Sequence, residues 1–293
     1  MKALGIDLGG TSVKLGIVQD GAVISSASVP TRKNSDYEGI VGDIVAAAKK
    51  LCDGHEIEKA GIGSPGLINS SSGKVCYSNN IRWSDYPLRD DISKALGVPA
   101  AIANDAKCAA LGEAVVGAGK SYSRVAMLTL GTGVGGGFAV NGKIESGNIH
   151  ADASGIFGHM TLVPGGRECN CGRKGCLESY CSATAVSERA QSVFGRQITA
   201  KEVFRLALER NRVAKKIVDD FAGYLAVAIV NLANILRPEC FVIGGGMAAS
   251  AEMFLPIVRK KTEKELYGEK YAPVKIVSAQ LGNAAGIVGA TLL

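Results

Sequence analysis

Aromatic residues are scarce in this 293-residue chain, at 5% of the total with a single Trp, against 47% hydrophobic residues. A chain of this length can bury a large core, which must then be mostly aliphatic with many close backbone contacts. An excess of charge of either sign is also missing. Lys and Arg number 33 and Asp and Glu 27, so the net charge is 33 − 27 = +6, and the basic residues are scattered. That balance suits small anionic ligands better than nucleic acid, which needs a concentrated basic patch. No uninterrupted apolar run is long enough to span a membrane. Met1-Lys2-Ala3-Leu4 leads straight into a strand pattern, without the apolar stretch and cleavage site of a signal peptide. We therefore expect a cytoplasmic protein with no membrane partner, whose eight cysteines stay reduced.

Glycine, by contrast, is abundant: 38 residues, gathered in clusters rather than linker-like tracts. Ala3 to Val18 is apolar on both sides of Gly9-Gly10-Thr11 and reads as a β-hairpin. Glycines let backbone N–H groups approach a phosphate, and Thr11 and Ser12 add hydroxyls. Asp7 places a carboxylate inside an apolar strand, which a plain surface hairpin does not need, although Gly-Gly turns are also common in hairpins that bind nothing. Val125 to Phe138 repeats the theme around Gly131-Thr132-Gly133 and Gly135 to Gly137, an internal repeat that suggests two related halves. This second cluster ends in no Gly-Lys-Ser/Thr, and a strand (Phe138 to Val140) follows it where a dinucleotide fingerprint needs a helix. A third glycine turn, Gly244-Gly245-Gly246, closes the strand Cys240 to Ile243.

Further strands are expected at Ala22 to Pro30, Lys59 to Gly66, Pro99 to Ala103 and Val274 to Val277. Helices are expected at Tyr37 to Leu51, Leu88 to Leu96, Ala106 to Gly117, Val213 to Leu236, Phe254 to Leu266 and Asn283 to Leu293. The strand at Ala103 delivers Asn104-Asp105 to its carboxyl end, where functional groups gather in open α/β sheets. Asp105 is there either for chemistry or as a helix N-cap. Trp83 follows Asn79 and Asn80, so either the amides read sugar hydroxyls, or Trp83 anchors packing while the Asn residues cap a turn.

The stretch Gly155 to Glu178 carries His159 and then Cys169-x-Cys171-x-x-x-x-Cys176. This is a Cys₃His donor set of the kind structural zinc prefers, and Gly172 and Gly175 allow the turns that let thiolates converge. Disulfides or free thiols are the plainer reading, and the reduced compartment speaks against the former.

Strand–helix alternation, two Gly/Thr hairpins and an Asp between them resemble the actin-like ATPase superfamily. Within it the zinc stretch narrows the likeness to the ROK-family sugar kinases (repressor, open reading frame, kinase), bacterial glucokinase-like, over essentially the whole length. The resemblance implies a two-domain α/β fold of the ribonuclease H-like type, with a cleft between the domains and a zinc loop. It implies an N-terminal domain at 1–118 and a C-terminal domain at 119–280, with the helix 281–293 packing back on the first. ATP would be held by Asp7, Gly9, Gly10, Thr11, Lys14, Gly131, Thr132, Gly133, Gly245 and Gly246. Asn104 matches a sugar ligand and Asp105 both a sugar ligand and the general base; Glu178, Gly66 and Asn80 match further sugar contacts. His159 matches a zinc ligand that also touches the sugar, joined by Cys169, Cys171 and Cys176. The implied reaction is ATP-dependent phosphorylation of a hexose, glucose-like and at the 6-hydroxyl, or of N-acetylmannosamine, another N-acetylhexosamine or fructose. Mg²⁺, a structural Zn²⁺ and a homodimer go with it. ROK repressors carry a helix-turn-helix segment ahead of the first hairpin, so no nucleic-acid partner is expected.

One position departs from the pattern. The family writes Gly-Glu-x-Gly-His, where the Glu holds sugar hydroxyls, and here Ile156 stands in its place. An isoleucine accepts no hydrogen bond, and an unpaired buried donor costs about 1–3 kcal/mol. Either the substrate differs at that hydroxyl, or the chain is a weak kinase or a non-catalytic sugar-binding relative. His150, Asp152 and Ser154 are the nearby polar residues that could substitute.

Overall fold

The computed structural model describes residues 1–32, 36–147 and 151–293. The chain opens with β1 (Lys2–Leu8), β2 (Ser12–Gln19), β3 (Ala22–Pro30) and α1 (Tyr37–Cys52). It continues through β4 (Lys59–Ser64), β5 (Leu67–Asn69), β6 (Lys74–Ser78), β7 (Trp83–Tyr86) and α2 (Leu88–Leu96). Then come β8 (Ala100–Asn104), α3 (Asp105–Val115), β9 (Arg124–Leu130), β10 (Val134–Val140) and β11 (Lys143–Ile144). Four helices follow: α4 (Glu178–Cys181), α5 (Ala183–Phe194), α6 (Ala200–Leu208) and α7 (Arg212–Leu236). The chain ends with β12 (Cys240–Gly244), α8 (Ala251–Glu265), β13 (Lys275–Ser278) and α9 (Ala285–Thr291). By contacts it divides into a first unit (Met1–Ser121, Gly137–Gly155 and Leu281–Leu293) and a second (Tyr122–Gly136 and Ile156–Gln280).

The first unit is built on a sheet ordered β3-β2-β1-β4-β8. The hairpin strands β1, β2 and β3 pair antiparallel, while β1, β4 and β8 run parallel, with Asp7 beside Gly63 and Ser64 beside Asn104. That register brings the carboxyl ends of three strands to one edge. Leu4, Ile6, Leu8, Leu15, Ile62 and Ile102 join Ile40, Ile44 and Ala48 of α1 in the aliphatic core. The sheet also meets α9 at backbone distance. A methyl on Gly61 would stand 1.8 Å from the Ala290 carbonyl oxygen, and one on Gly289 would stand 1.6 Å from that of Cys108 in α3. Small residues in α9 therefore let a helix touch both the sheet and α3, which contacts α9 more than any other element does.

A three-stranded sheet, β5-β6-β7, completes the unit. Trp83 is 3% exposed, and Tyr37 stacks on Tyr86 at 4.1 Å and meets Trp83 edge-on at 5.0 Å. Trp83 is thus the packing anchor, and Asn79 and Asn80 are exposed. The segment Gly137–Gly155, which the sequence reading grouped with the second domain, is assigned by its contacts to the first unit. Gly137 lies against Ala110 of α3, and Lys107 of α3 donates to the carbonyls of Ser146 and Asp152.

In the second unit β12 pairs parallel with both β9 and β13. Phe204, Phe221 and Phe254 gather at 5.2–5.9 Å between ring centres. The long helix α7 meets the length and apolar composition of a membrane span, but Ile217, Phe221, Leu225, Ile229 and Leu232 are buried in this core. Asn211 caps its start, and Arg237, left-handed before Pro238, ends it.

Gly289→Ala is expected to destabilise the fold by about 1–3 kcal/mol, since an added methyl forces backbone apart. A urea unfolding midpoint unchanged from wild type would contradict this packing.

Candidate active site

The first unit assembles its candidates at the carboxyl ends of β1, β4 and β8. The turn after β1 is closed by Gly9 N donating to Ser12 O (3.0 Å), and Thr31 donates its hydroxyl to Gly9 O (2.7 Å). Gly10 lies next to Asn80, whose Cβ would be 3.9 Å from a methyl there. Asp7 lies against the first turn of α9, where a methyl on Gly286 would come within 2.8 Å of its carboxyl carbon. Lys14 faces Asp7 across the hairpin and donates to Asn283 Oδ1 (3.3 Å). Burial raises the Asp7 pKa, and the Lys14 charge opposes the rise.

Asn104 decides the role of its neighbour. Its Oδ1 accepts from Ala106 N (3.0 Å) and Lys107 N (3.3 Å), and its Nδ2 donates to Gly66 O (3.1 Å). The N-cap of α3 is therefore Asn104, not Asp105. Asp105 is half-buried in the first helical position, with Oδ1 accepting from Ala106 N at 2.8 Å. Burial and then the nearby Asp7 charge push its pKa up to about 6, against the lowering pull of the Ala106 amide. Gly66 holds a left-handed φ of +107°, and any side chain there would strike the Tyr77 carbonyl, 2.2 Å from a Cβ.

The second unit assembles the remainder. The Gly131–Gly133 turn is closed by Gly131 N donating to Gly133 O at 2.9 Å. Ala183 N donates to Gly131 O (2.7 Å) and the Thr184 hydroxyl to Thr132 O (2.8 Å). Glu178, first in α4, accepts Val134 N at 2.8 Å. Gly245 backs onto the same turn, since a methyl there would stand 2.4 Å from Leu130 O. Gly246 begins the short 3₁₀ turn that follows.

The donor atoms of His159, Cys169, Cys171 and Cys176 all lie within 4.8 Å of one another. Cys171 Sγ is 3.7 Å from Cys176 Sγ, and Cys169 Sγ is 3.7 Å from His159 Nδ1. Tetrahedral zinc with bonds of about 2.3 Å to sulfur and about 2.0 Å to nitrogen separates its ligands by about 3.6–3.8 Å, so the four residues fit that ion. Burial and the facing thiols push the Cys176 pKa up to about 12, a penalty a bound divalent cation reverses. Gly172 N donates to Cys169 O (2.9 Å) and Gly175 N to Arg167 O (2.8 Å), folding the loop on itself. Arg173 donates to the His159 carbonyl (3.2 Å) and to Thr161 Oγ1 (2.6 Å).

Ile156 is 43% exposed. Asp152 accepts Ser70 N (3.2 Å) through its carboxylate, and the Ser154 hydroxyl bonds the Glu145 carbonyl, so both are engaged within the first unit. His150 lies outside the described residues. The clasps that hold the turns (Thr31, Ala183 and Thr184) and the Asn283 acceptor for Lys14 were not foreseen, because each acts through tertiary contact and no local pattern marks it.

A profile of the ROK family matches residues 3–293. The chain belongs to the ROK family. Among similar proteins is the glucokinase of Halalkalibacterium halodurans, 36% identical over 98% of this chain and 92% of that protein. The N-acetyl-D-glucosamine kinase of Vibrio atlanticus is 33% identical over 99% and 98%. The crystal structure of a ROK family glucokinase from Streptomyces griseus in complex with glucose and AMPPNP superposes with a TM-score of 0.86 at 33% identity, covering 99% and 98%. The two units of this ROK chain accordingly have the actin-like ATPase fold.

A raised carboxyl pKa favours the fold fully while the group is protonated, below the ordinary value near 4, and that benefit is lost as pH rises through about 6. Asp105→Asn has no charge to desolvate. Its melting temperature relative to wild type is expected to rise by about 3–6 °C between pH 4 and pH 8. A constant difference across that range would contradict the raised pKa.

Proposed function

We propose that this ROK sugar kinase transfers the γ-phosphoryl group of ATP to a hexose hydroxyl, the 6-hydroxyl of a glucose-like sugar, with Asp105 as general base. The observation that carries the reading is Asp105 itself: a half-buried carboxylate, relieved of capping by Asn104, poised near pH 6 beside Asp7. A base with that pKa is ionised at neutral pH yet still basic enough to take a hydroxyl proton in flight. The glucose and AMPPNP bound by the Streptomyces griseus relative support the same substrates here.

In this reading Asn104, Gly66 and Asn80 orient the sugar in the first unit, while His159 and Glu178 supply contacts from the second. The sugar oxygen attacks phosphorus, its proton passes to Asp105, and the bond to ADP breaks. Backbone amides at Gly9, Gly10 and Gly131 to Gly133 receive the phosphates, aided by Thr11, Thr132 and Lys14, and Gly245 and Gly246 border the adenosine. Phosphoryl transfer asks mainly for positioning and charge stabilisation, which donor-rich turns provide. Mg²⁺ bound with ATP would neutralise phosphate charge, and Asp7 stands two residues before Gly9. His159, Cys169, Cys171 and Cys176 would hold a structural zinc that braces the loop leading into Glu178.

Ile156 favours a second substrate. An exposed apolar side chain, with Asp152 and Ser154 engaged elsewhere, suits a sugar that differs from glucose at one hydroxyl. An N-acetylhexosamine is such a sugar, and the Vibrio atlanticus relative acts on one. Fructose and a non-catalytic sugar-binding role are the other outcomes of a sugar panel.

Asp105→Asn is expected to lower kcat by about 10²–10⁴-fold, and wild-type kcat/KM to fall tenfold per pH unit below about pH 6. Sugar-dependent ADP release retained by that variant would refute the base. Protein purified without chelator should carry about one zinc per chain, and Cys171→Ser should fall below half of that; equal metal in both would remove Cys171 from the ligand set.

A further inference from the structure

Lys107, two residues beyond Asp105 in α3, is 2% exposed. Burying an ammonium is expensive unless its donors are bound. Its Nζ donates to the carbonyls of Asp152 (2.6 Å) and Ser146 (3.3 Å) and to the Ser154 hydroxyl (3.3 Å), so three donors meet three acceptors. An apolar side chain would fill this place at less cost. The use of the amine must lie in what it holds.

What it holds leads back to the candidate site. Asp152 N donates to the Ile68 carbonyl (2.6 Å) and Asp152 Oδ2 accepts Ser70 N (3.2 Å), so this one residue grips the end of β5 on both sides. Arg89 of α2 grips the same turn, donating to the carbonyls of Ser70 and Ser71 at 3.1 Å each. β5 starts directly after Gly66, whose carbonyl receives Asn104 Nδ2. Asn104 in turn stands three residues before Lys107. These bonds close a ring within the first unit, running from Asn104 through Gly66, β5 and Asp152 to Lys107 and back along α3. A cavity of about 270 Å3 lined by Ser70, Arg89, Lys107, Ser146 and Asp152 adjoins it, giving the ring room to slacken if the ammonium is lost.

We infer that Lys107 is a positioning residue for sugar binding, which keeps Gly66 and Asn104 at the spacing the sugar hydroxyls need. The inference rests on the proposed sugar-holding role of those two residues. Lys107 acts through Asp152 and touches no reacting atom.

Two variants of the full chain test it. Lys107→Met removes the donors at similar length, and Asp152→Ala removes the acceptor for Ser70 N while leaving the carbonyl that Lys107 holds. Both are expected to unfold cooperatively, to exchange the Ser70 amide about tenfold faster, and to raise the sugar KM about tenfold with ATP KM and kcat within about twofold. Lys107→Arg should recover part of the sugar affinity. A sugar KM within about twofold of wild type in either folded variant overturns the inference, as does a lowered melting temperature with kcat falling at constant KM. Should the wild type release no ADP with any sugar, the kinase reading falls separately. Ser70 exchange then decides the ring alone, and an unchanged rate in Lys107→Met overturns it.

Discussion

Who caps α3 governs the chemistry of the first unit. A helix start needs a side-chain acceptor for its free amides, and Asn104 meets that need with one oxygen while its amide nitrogen reaches Gly66. Asp105 is consequently left in the first turn, with no basic side chain among the described residues paired to it. Burial beside Asp7 then raises its pKa. Hydrogen bonds from Ala106, from its own backbone and from Asn104 pull the other way without cancelling that rise. One residue's difference in register thus separates the helix cap from the half-buried acid beside Asp7.

Backbone proximity is the second constraint. With few aromatics to fill space, the first unit draws its helices close through glycine, and α9 rests on carbonyl oxygens of α3 and the sheet presents glycine to it. The same permissiveness serves the turns. Gly245 can back onto Leu130 because it carries no side chain, which keeps the second and third glycine turns adjacent at the ends of β9 and β12.

Much of this was legible beforehand. The bounds of β3 and α2 match the residues expected, because apolar alternation ended at Pro30 and a helical pattern ended at Gly97. The Cys and His spacing foretold a convergent donor set, and the four donor atoms do cluster. Other features were hidden. The β5-β6-β7 sheet is made of strands of three to five residues, too short to show a pattern, and its β7 packs on Tyr37 from α1. α8 begins at Ala251, three residues before the expected start, because a 3₁₀ turn at Gly246–Ser250 feeds it. Lys107 gave no local signal, as a lysine in a helix of small residues reads as surface until its three acceptors, distant in sequence, are seen.

The solitary indole also makes the first unit its own reporter. Trp83 is enclosed by Tyr37 and Tyr86 in that unit, whereas the five helices α4 to α8 all belong to the second. Tryptophan fluorescence, excited selectively over tyrosine, therefore follows one half of the molecule during denaturation, and far-ultraviolet dichroism is weighted toward the other. Superimposable curves would mark one cooperative transition, and separated curves would give the stability of each half directly.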